Sequence, residues 1–171
     1  HIVYDLTDPK QFDLFITAST DPDRPFKLIG IINYELTFRR PRLKELQRFT
    51  LVLDESSLIQ NENNKRARFI LKLDYTDVIL LSGTVVNGKY ERLWSQCHLL
   101  GWNISKDLFW KQYVKLETFE DRYGYRHKKV VGYKNVDRLK DKLRRHGAVF
   151  MGTEDVFDLP EQTIIYERVA A

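Results

Sequence analysis

Short apolar runs alternate with amphipathic stretches along the first hundred residues of the chain. Runs rich in Ile, Leu and Val predict buried strands at Leu28–Asn33, Phe49–Leu53 and Val78–Leu81. A further short strand is predicted at Ile2–Leu6. Near-continuous apolar strands that alternate with helices are typical of a parallel sheet that is covered on both faces. The pattern therefore predicts an α/β fold.

The segments between these strands carry helical signals. Asp8 is a candidate N-cap for a helix over Pro9–Thr17, which has proline at its first position. Pro41 is expected to divide Tyr34–Leu46 into two short helical pieces, because proline cannot donate an amide hydrogen bond. Two more helices are predicted, at Asn63–Leu73 and at Lys89–Leu100, where Gly101 is a suitable stop.

The pattern changes after residue 104. Ser105 is expected to cap a helix over Lys106–Val114, and residues 115–134, which are aromatic and basic, are expected to form a hairpin-like excursion. The last predicted elements are a helix at Val136–His146 and strands at Ala148–Met151 and Thr163–Val169. We therefore expect an α/β portion over residues 1–104, a helical and basic insertion over 105–147, and a return to the α/β portion over 148–171.

The composition excludes several classes of protein. The chain has 171 residues and 43% hydrophobic residues, enough for an ordinary globular core. Its longest apolar runs are far shorter than the roughly 20 residues that span a bilayer, so no membrane partner is expected. With Cys97 as its one cysteine and four histidines, the chain offers no disulfide framework and no pattern typical of structural zinc. The single cysteine suits a reducing cytoplasm, and we expect a bacterial or phage-type protein.

Basic residues are concentrated in one part of the chain. Residues 106–146 contain 13 Lys and Arg against 6 Asp and Glu, and aromatic residues alternate with them over Phe109–Lys134. Such a segment can bind nucleic acid, with cations on phosphates and aromatic rings on bases. From the charge alone a solvated helix face is the favoured interpretation, and Phe109, Trp110 and Tyr113 are favoured as core residues. Arg126, Lys128 and Lys129 are retained as candidate DNA contacts.

Two adjacent carboxylates follow the strand predicted at Phe49–Leu53. Asp54 and Glu55 stand directly at its end, and Ser82 and Gly83 follow the next predicted strand. Ligands bind beyond the carboxyl ends of parallel strands. An Asp at such a position can hold Mg²⁺ through water, and an adjacent Glu can reach the water that attacks a γ-phosphate. The alternative is that Asp54 and Ser56 only cap the following helix.

Four stretches resemble the Snf-type (SWI/SNF-related) branch of the superfamily-two helicase-like ATPases. LVLDESSLIQNENNKRARFILKL and VILLSGTVVNGKYERLWSQCHLLG are similar to its motifs II and III. LIGIINYEL resembles the strand before motif II, and LRRHGAVFMGTEDVFDLPEQTIIYERV resembles the end of the first motor lobe. The four stretches occur in the order found in the family. The resemblance implies a partial RecA-like P-loop NTPase lobe, with a mostly parallel sheet and an insertion after motif III.

The resemblance also implies an activity and roles for individual residues. It implies a DNA-dependent ATPase that translocates on DNA, with ATP and Mg²⁺ as cofactors and a second RecA-like lobe of the same chain as a partner. Asp54 would bind Mg²⁺ and Glu55 would polarise the catalytic water. The coupling motif would be Ser82, Gly83 and Thr84; the positioning asparagines would be Asn61 and Asn87; and Asn33, Tyr34 and Asn87 would be the DNA-contacting residues. The contacts are expected on the backbone of duplex DNA, where they hold position without reading sequence.

The chain departs from the family pattern at several places. Val85 replaces the usual proline of motif III, Ser57 stands in place of a motif II histidine, and Gly152 and Thr153 stand in place of a basic pair. We expect altered coupling between the motifs. The pattern Gly-x-x-x-x-Gly-Lys-(Ser/Thr), which cradles phosphates, is not found in these residues. We therefore expect the C-terminal portion of a first lobe, which does not hydrolyse ATP alone.

Two other functions are compatible with parts of this pattern. The first is a non-catalytic DNA-binding module, in which Asp54 and Glu55 act only as caps. The second is a metal-dependent nuclease that uses the two acids and a nearby lysine, although its usual acid-x-lysine spacing on one strand is missing. DNA affinity that is insensitive to the two acids would distinguish the binding module.

Overall fold

The computed structural model describes residues 1–83 and 89–151 of the chain. Within these residues the structure has three two-stranded sheets, six α-helices and three 3₁₀ helices. The strands are β1 (Ile2–Asp5), β2 (Leu28–Ile31), β3 (Thr50–Leu53), β4 (Asp77–Leu80), β5 (Val114–Glu120) and β6 (Arg126–Tyr133). The α-helices are α1 (Pro9–Ser19), α2 (Tyr34–Thr37), α3 (Lys65–Ile70), α4 (Trp94–Leu99), α5 (Lys106–Tyr113) and α6 (Val136–Arg145). The 3₁₀ helices are Pro41–Glu45, Ser56–Ile59 and Tyr90–Leu93.

Strands β1 and β2 form a parallel pair that is crossed by α1. Asp8 caps α1 as predicted, since its carboxylate accepts hydrogen bonds from the amides of Lys10 and Gln11. Phe15 of α1 lies directly against Gly30 of β2, and a Cβ at Gly30 would be 2.9 Å from the ring. Helix and strand therefore approach closely because residue 30 has no side chain.

Strands β3 and β4 form the second parallel pair. Their register runs from Thr50 opposite Asp77 to Leu53 opposite Leu80, so both strands end at the same edge. Beyond that edge, the amide of Ser56 donates a 2.7 Å hydrogen bond to the carbonyl of Leu81. This bond joins the chain after β3 to the chain after β4, and it brings the predicted acidic pair beside the predicted serine.

The parallel pairing is confirmed, but the prediction of fully buried strands is wrong for the described residues. Ile31 is 59% exposed and Val52 is 54% exposed, although both belong to apolar runs. Both side chains lie on the face of their parallel pair that the described core does not cover. The described fold is thus mixed α/β with small sheets, two of them parallel.

The helices of the later part share one core. It contains Leu93, Cys97, Trp102, Ile104, Phe109, Tyr113, Leu139 and Leu143. The helix predicted at Lys89–Leu100 is instead the 3₁₀ helix Tyr90–Leu93 followed by α4, and Gly101 ends it with a φ of +77°. The predicted Ser105 cap and the hairpin are confirmed. Residues of 105–147 pack against α4, so the predicted domain boundary at residue 104 lies within this core. The boundary stays a prediction.

Two predicted elements need correction. The helix predicted at Asn63–Leu73 is the shorter Lys65–Ile70. Ala148–Met151 is not a strand: Val149 and Met151 are mostly exposed, and no described strand pairs with them. An apolar run needs a partner strand before it can join a sheet, and the pattern alone does not supply one. The strand predicted at Thr163–Val169 lies outside the described residues.

Among the described residues, no helix is a candidate for a membrane-spanning segment.

Candidate active site

The acidic pair lies where the chain leaves β3. Glu55 adopts a left-handed backbone conformation, with φ of 52° and ψ of 55°, which is uncommon for a residue with a side chain. This conformation turns the chain sharply out of the sheet, and the 3₁₀ helix Ser56–Ile59 follows. Asp54 and Glu55 are both exposed at the sheet edge.

The Glu55 carboxylate is held by two serine hydroxyls. Ser57 Oγ donates to Glu55 Oε1 at 2.5 Å, and Ser82 Oγ donates to the same oxygen at 3.1 Å. Oε2 accepts no hydrogen bond from the described residues. The structure therefore brings together Glu55 and Ser82, two of the predicted site residues, which are 27 positions apart in the chain. An oriented carboxylate with one open oxygen can act as a general base.

Capping does not account for the acidic pair. Glu55 stands at the N-cap position of the 3₁₀ helix, but no side chain accepts a hydrogen bond there. Asp54 Oδ1 instead accepts a 3.0 Å hydrogen bond from the amide of Glu55. The interpretation of these acids as helix caps is therefore wrong for the described geometry.

Tyr34 packs against the acidic pair from α2. Its hydroxyl donates a 2.6 Å hydrogen bond to the backbone carbonyl of Asp54. Burial raises the pKa of Tyr34 to about 12, and the negative charges of Asp54 and Glu55 add to this effect. Asn33 caps the same helix, since its side chain accepts a 3.0 Å hydrogen bond from the amide of Leu36. Tyr34 thus lies at the acidic pair, Asn33 precedes it as a helix cap, and a DNA contact by either stays a prediction.

Sequence reasoning missed a buried polar network beneath the acidic pair. Gln96 of α4 donates from Nε2 to Ser56 Oγ at 2.9 Å, and Gln60 Nε2 donates to Gln96 Oε1 at 3.3 Å. Ser56 is 1% exposed and Gln96 is 5% exposed. The available signal in the sequence was the position of Gln96 beside the apolar stripe of its helix, where a polar side chain is expected to become buried.

The donor set around Asp54 fits a hydrated Mg²⁺ better than a tightly caged metal. Among residues 1–83 and 89–151, no three His, Cys, Asp or Glu side chains form a group that could hold a metal. Mg²⁺ keeps several waters and is commonly bound by one or two carboxylates together with substrate phosphates. The exposed Asp54 carboxylate is compatible with that mode of binding.

The hairpin separates the three predicted basic contacts. Side chains alternate between the two faces of a strand, and directly paired residues share a face. Arg126 pairs with Glu120 and Lys128 pairs with Thr118, so these two cations lie on one face. Lys129 pairs with Glu117 on the other face. The three residues therefore cannot contact one flat surface together, although all are exposed.

The structure describes some of the remaining predicted site residues and leaves out others. Gly83 is exposed in a bend directly after Ser82. Asn61 accepts a 3.1 Å hydrogen bond from the amide of Asn63 in the turn before α3. Outside the described residues lie Thr84, Val85, Asn87, Gly152 and Thr153.

Comparison with known proteins gives one informative similarity. No family model matches the chain. The chain is 36% identical over 117 residues to a probable ATP-dependent helicase of Plasmodium falciparum (isolate 3D7). The match covers 67% of this chain and 5% of that protein, so the chain spans a small part of its relative's length. This relative lends no support to the expected bacterial or phage origin. The chain is thus similar to a helicase-like protein, which is the coarser part of the resemblance drawn from its motifs.

Proposed function

We propose that these residues form part of an ATP-dependent motor of the Snf type that moves on DNA. The proposal combines the similarity to an ATP-dependent helicase with the chemistry at the ends of β3 and β4. The observation that carries it is the pair of hydrogen bonds from Ser57 and Ser82 to one oxygen of Glu55. A solvated surface acid has no need of two oriented donors from different parts of the chain.

In this proposal the two acids have different tasks. Asp54 would hold Mg²⁺ through water, and the ion would neutralise charge on the phosphates of ATP. Glu55 would accept a proton from the attacking water at Oε2, while the serine hydroxyls hold Oε1. Glu55 has a left-handed backbone, and both acids are exposed where the chain leaves β3.

The hydrogen bond between Glu55 and Ser82 is the proposed link between ATP and DNA. Ser82, Gly83 and Thr84 would form the coupling motif, so a change at the nucleotide would be transmitted along the segment that follows β4. Asn33, Tyr34 and Asn87 would lie near the DNA backbone, with Arg126, Lys128 and Lys129 on the hairpin as further contacts. Backbone contacts of this kind give affinity that depends on salt.

The phosphate-binding loop and the second motor lobe would come from outside these 171 residues. The Gly-x-x-x-x-Gly-Lys-(Ser/Thr) pattern, which holds the β- and γ-phosphates, is not among them. The proposed domain division is 1–104 for the part with motifs II and III, 105–147 for the insertion, and 148–171 for the return to the lobe. These 171 residues alone are then expected to bind DNA without hydrolysing ATP.

The test is DNA-stimulated ATP hydrolysis by the full protein that carries this sequence. Glu55→Gln keeps the size of the side chain and removes the base, so turnover should fall at least about a hundredfold while ATP still binds. Glu45→Gln, at an exposed acid that pairs with Arg42, is the matched control and should leave turnover unchanged. Hydrolysis that is absent or indifferent to Glu55 would contradict the proposal and favour a non-catalytic DNA-binding module.

A further inference from the structure

The β5–β6 hairpin is an exposed arm with a fixed base. At its base, Tyr113 and Val114 are buried in the core, and Tyr133 donates a hydrogen bond to Glu91. Nearly all residues from 115 to 129 are exposed. An isolated two-stranded hairpin is marginally stable in water, so an arm with both faces open depends on this base. Its exposed surface is available for a partner.

One face of the arm carries a row of rings. Phe119 pairs with His127, and their rings stack with centroids 5.4 Å apart. Lys129 lies on the same face by alternation along β6, and Tyr125 directly precedes that strand, where its carbonyl accepts a 2.9 Å hydrogen bond from the amide of Asp121. We call this surface the aromatic face: Glu117, Phe119, Asp121, Tyr125, His127 and Lys129. It presents flat rings with open surfaces, since Phe119 and Tyr125 are both exposed.

Asp121 holds the tip of the arm in place. Its Oδ1 accepts hydrogen bonds from the amides of Tyr123 and Tyr125 at 2.9 and 3.0 Å, and its Oδ2 lies 2.8 Å from His127 Nε2. Gly124 closes the turn with a φ of +81°, a conformation that favours glycine. Tyr123 and Tyr125, 69% and 68% exposed, are therefore solvent-facing rings on an ordered turn.

The arm as a whole carries a surplus of positive charge. Residues 114–134 contain six Lys and Arg against three Asp and Glu. The guanidinium of Arg122 lies 4.8 Å from the centre of the Tyr123 ring, and Arg126 and Lys128 lie on the face opposite the aromatic face. Exposed rings among cations match the two parts of a nucleic-acid strand, which are flat bases and negative phosphates.

We propose that the aromatic face binds an unpaired nucleic-acid strand by stacking bases on Phe119 and Tyr125. Arg122 at the tip and Lys129 on the aromatic face hold the phosphates of the same strand. This inference deepens the proposed function and rests on its nucleic-acid partner, but it names unpaired bases where the resemblance implies only the duplex backbone. A base in a duplex is stacked on its neighbours, so the rings select single strands or frayed ends.

The test compares two labelled strands of equal length, oligo-dT and the same strand with abasic sites, by fluorescence anisotropy with the full chain. Both strands carry the same phosphates, and they differ only in bases. The wild type should bind oligo-dT more tightly. Phe119→Ala and Tyr125→Ala should each weaken oligo-dT binding by about fivefold or more, and should leave binding of the abasic strand unchanged.

Matched variants separate stacking from charge and from folding. Leu116→Ala removes an exposed apolar side chain from the opposite face of β5 and should bind both strands as the wild type does. Tyr125→Phe keeps a ring and should retain affinity for oligo-dT. Arg122→Ala with Lys129→Ala should weaken the binding of both strands alike and should lower the dependence of binding on salt.

Three outcomes would overturn the inference. Equal binding of the two strands by the wild type would refute stacking but leave phosphate binding, and with it the proposed function, intact. Equal losses in Leu116→Ala and Phe119→Ala would show that the arm acts only through its fold. Binding to neither strand would refute this inference and the nucleic-acid part of the proposed function, while ATP hydrolysis by the full protein would still test the motor separately.

Discussion

Gln96 donates a buried 2.9 Å hydrogen bond to Ser56, a residue 40 positions earlier in the chain. Ser56 directly follows the acidic pair, and Gln96 lies on α4, which follows the segment after β4. The bond therefore holds the loop of Glu55 against that helix. Ser56 and Gln96 thus join the loop after β3 to a helix that is distant in the sequence.

This link should contribute measurably to stability. Ser56→Ala or Gln96→Leu leaves a buried polar group without its partner, so each should lower the free energy of unfolding by about 1–3 kcal/mol. The double variant should lose less stability than the sum of the two single losses, because both changes remove the same hydrogen bond. Urea unfolding of the four proteins measures this coupling. Strict additivity would show that the hydrogen bond contributes nothing.

A nearby serine provides the control for this experiment. Ser95 is fully buried, and its Oγ has no hydrogen-bond partner among the described residues. Ser95→Ala removes a buried polar group that is not satisfied, so it should leave stability unchanged or raise it slightly. A loss as large as that in Ser56→Ala would mean that any small change beneath the acidic pair destabilises the fold.

The left-handed conformation of Glu55 predicts an unusual order of two variants. Glu55→Ala and Glu55→Gly both remove the carboxylate and its hydrogen bonds from Ser57 and Ser82. Only glycine adopts a φ of 52° without steric cost, so Glu55→Gly should be the more stable by about 1 kcal/mol in urea unfolding. At most other positions glycine is the less stable of the two, and that ordinary order here would contradict the observed backbone.

Tyr34 predicts a dependence of stability on alkaline pH. The folded pKa of about 12 is above the ordinary value of 10.0, so the folded state favours the protonated phenol. The stabilisation is fully present below pH 10 and is lost as pH rises from 10 to about 12. Tyr34→Phe should cost about 1 kcal/mol near neutral pH, through the lost bond to Asp54. The difference in free energy of unfolding between Tyr34→Phe and the wild type should shrink above pH 10.

Two measurements check this prediction. Alkaline titration followed by tyrosine absorbance should show one fewer phenol of high pKa in Tyr34→Phe than in the wild type. Urea unfolding across the same pH range should show that the free energies of unfolding of Tyr34→Phe and the wild type converge. Tyr123→Phe, at a mostly exposed tyrosine, is the control and should leave the free energy of unfolding unchanged. A constant difference in the free energy of unfolding between Tyr34→Phe and the wild type at every pH would refute the raised pKa of Tyr34.

The sequence was sufficient to predict features that depend on local rules. Asp8 and Ser105 cap their helices because their side chains reach amides two or three residues away. Glu55 and Ser82 could be placed together because parallel strands end at one edge. These predictions require only the order of the elements and the spacing of residues within them.

Other features depend on which surfaces meet in three dimensions. The bond between Gln96 and Ser56 requires the exact packing of α4 on the loop after β3, which no spacing encodes. The apolar run at Ala148–Met151 resembles a strand, but pairing needs a neighbour. The exposure of Ile31 and Val52 likewise depends on what covers the sheet. Hydrophobic periodicity indicates the secondary-structure element to which a residue belongs, but it does not identify the surface against which that residue packs.

The close approach at Gly30 gives the sharpest prediction for the fold around β2. A Cβ there would lie 2.7 Å from Leu6 Cδ1 and 2.9 Å from Phe15 Cζ, and both side chains are buried. Neither can move freely, because both belong to the same core. Gly30→Ala should therefore lower the free energy of unfolding by about 1–3 kcal/mol, as overpacked cores do.

Gly132 on β6 is the matched control for this change. It also lies in a strand, but a Cβ there would be 3.8 Å from the nearest atom, on the flexible side chain of Lys115. Gly132→Ala should be neutral or should stabilise the protein by up to about 1 kcal/mol, since alanine loses less backbone entropy on folding. Thermal and urea unfolding of the two variants side by side measure the contrast. Equal stability of Gly30→Ala and Gly132→Ala would mean that α1 does not pack on β2 as closely as the structure has it.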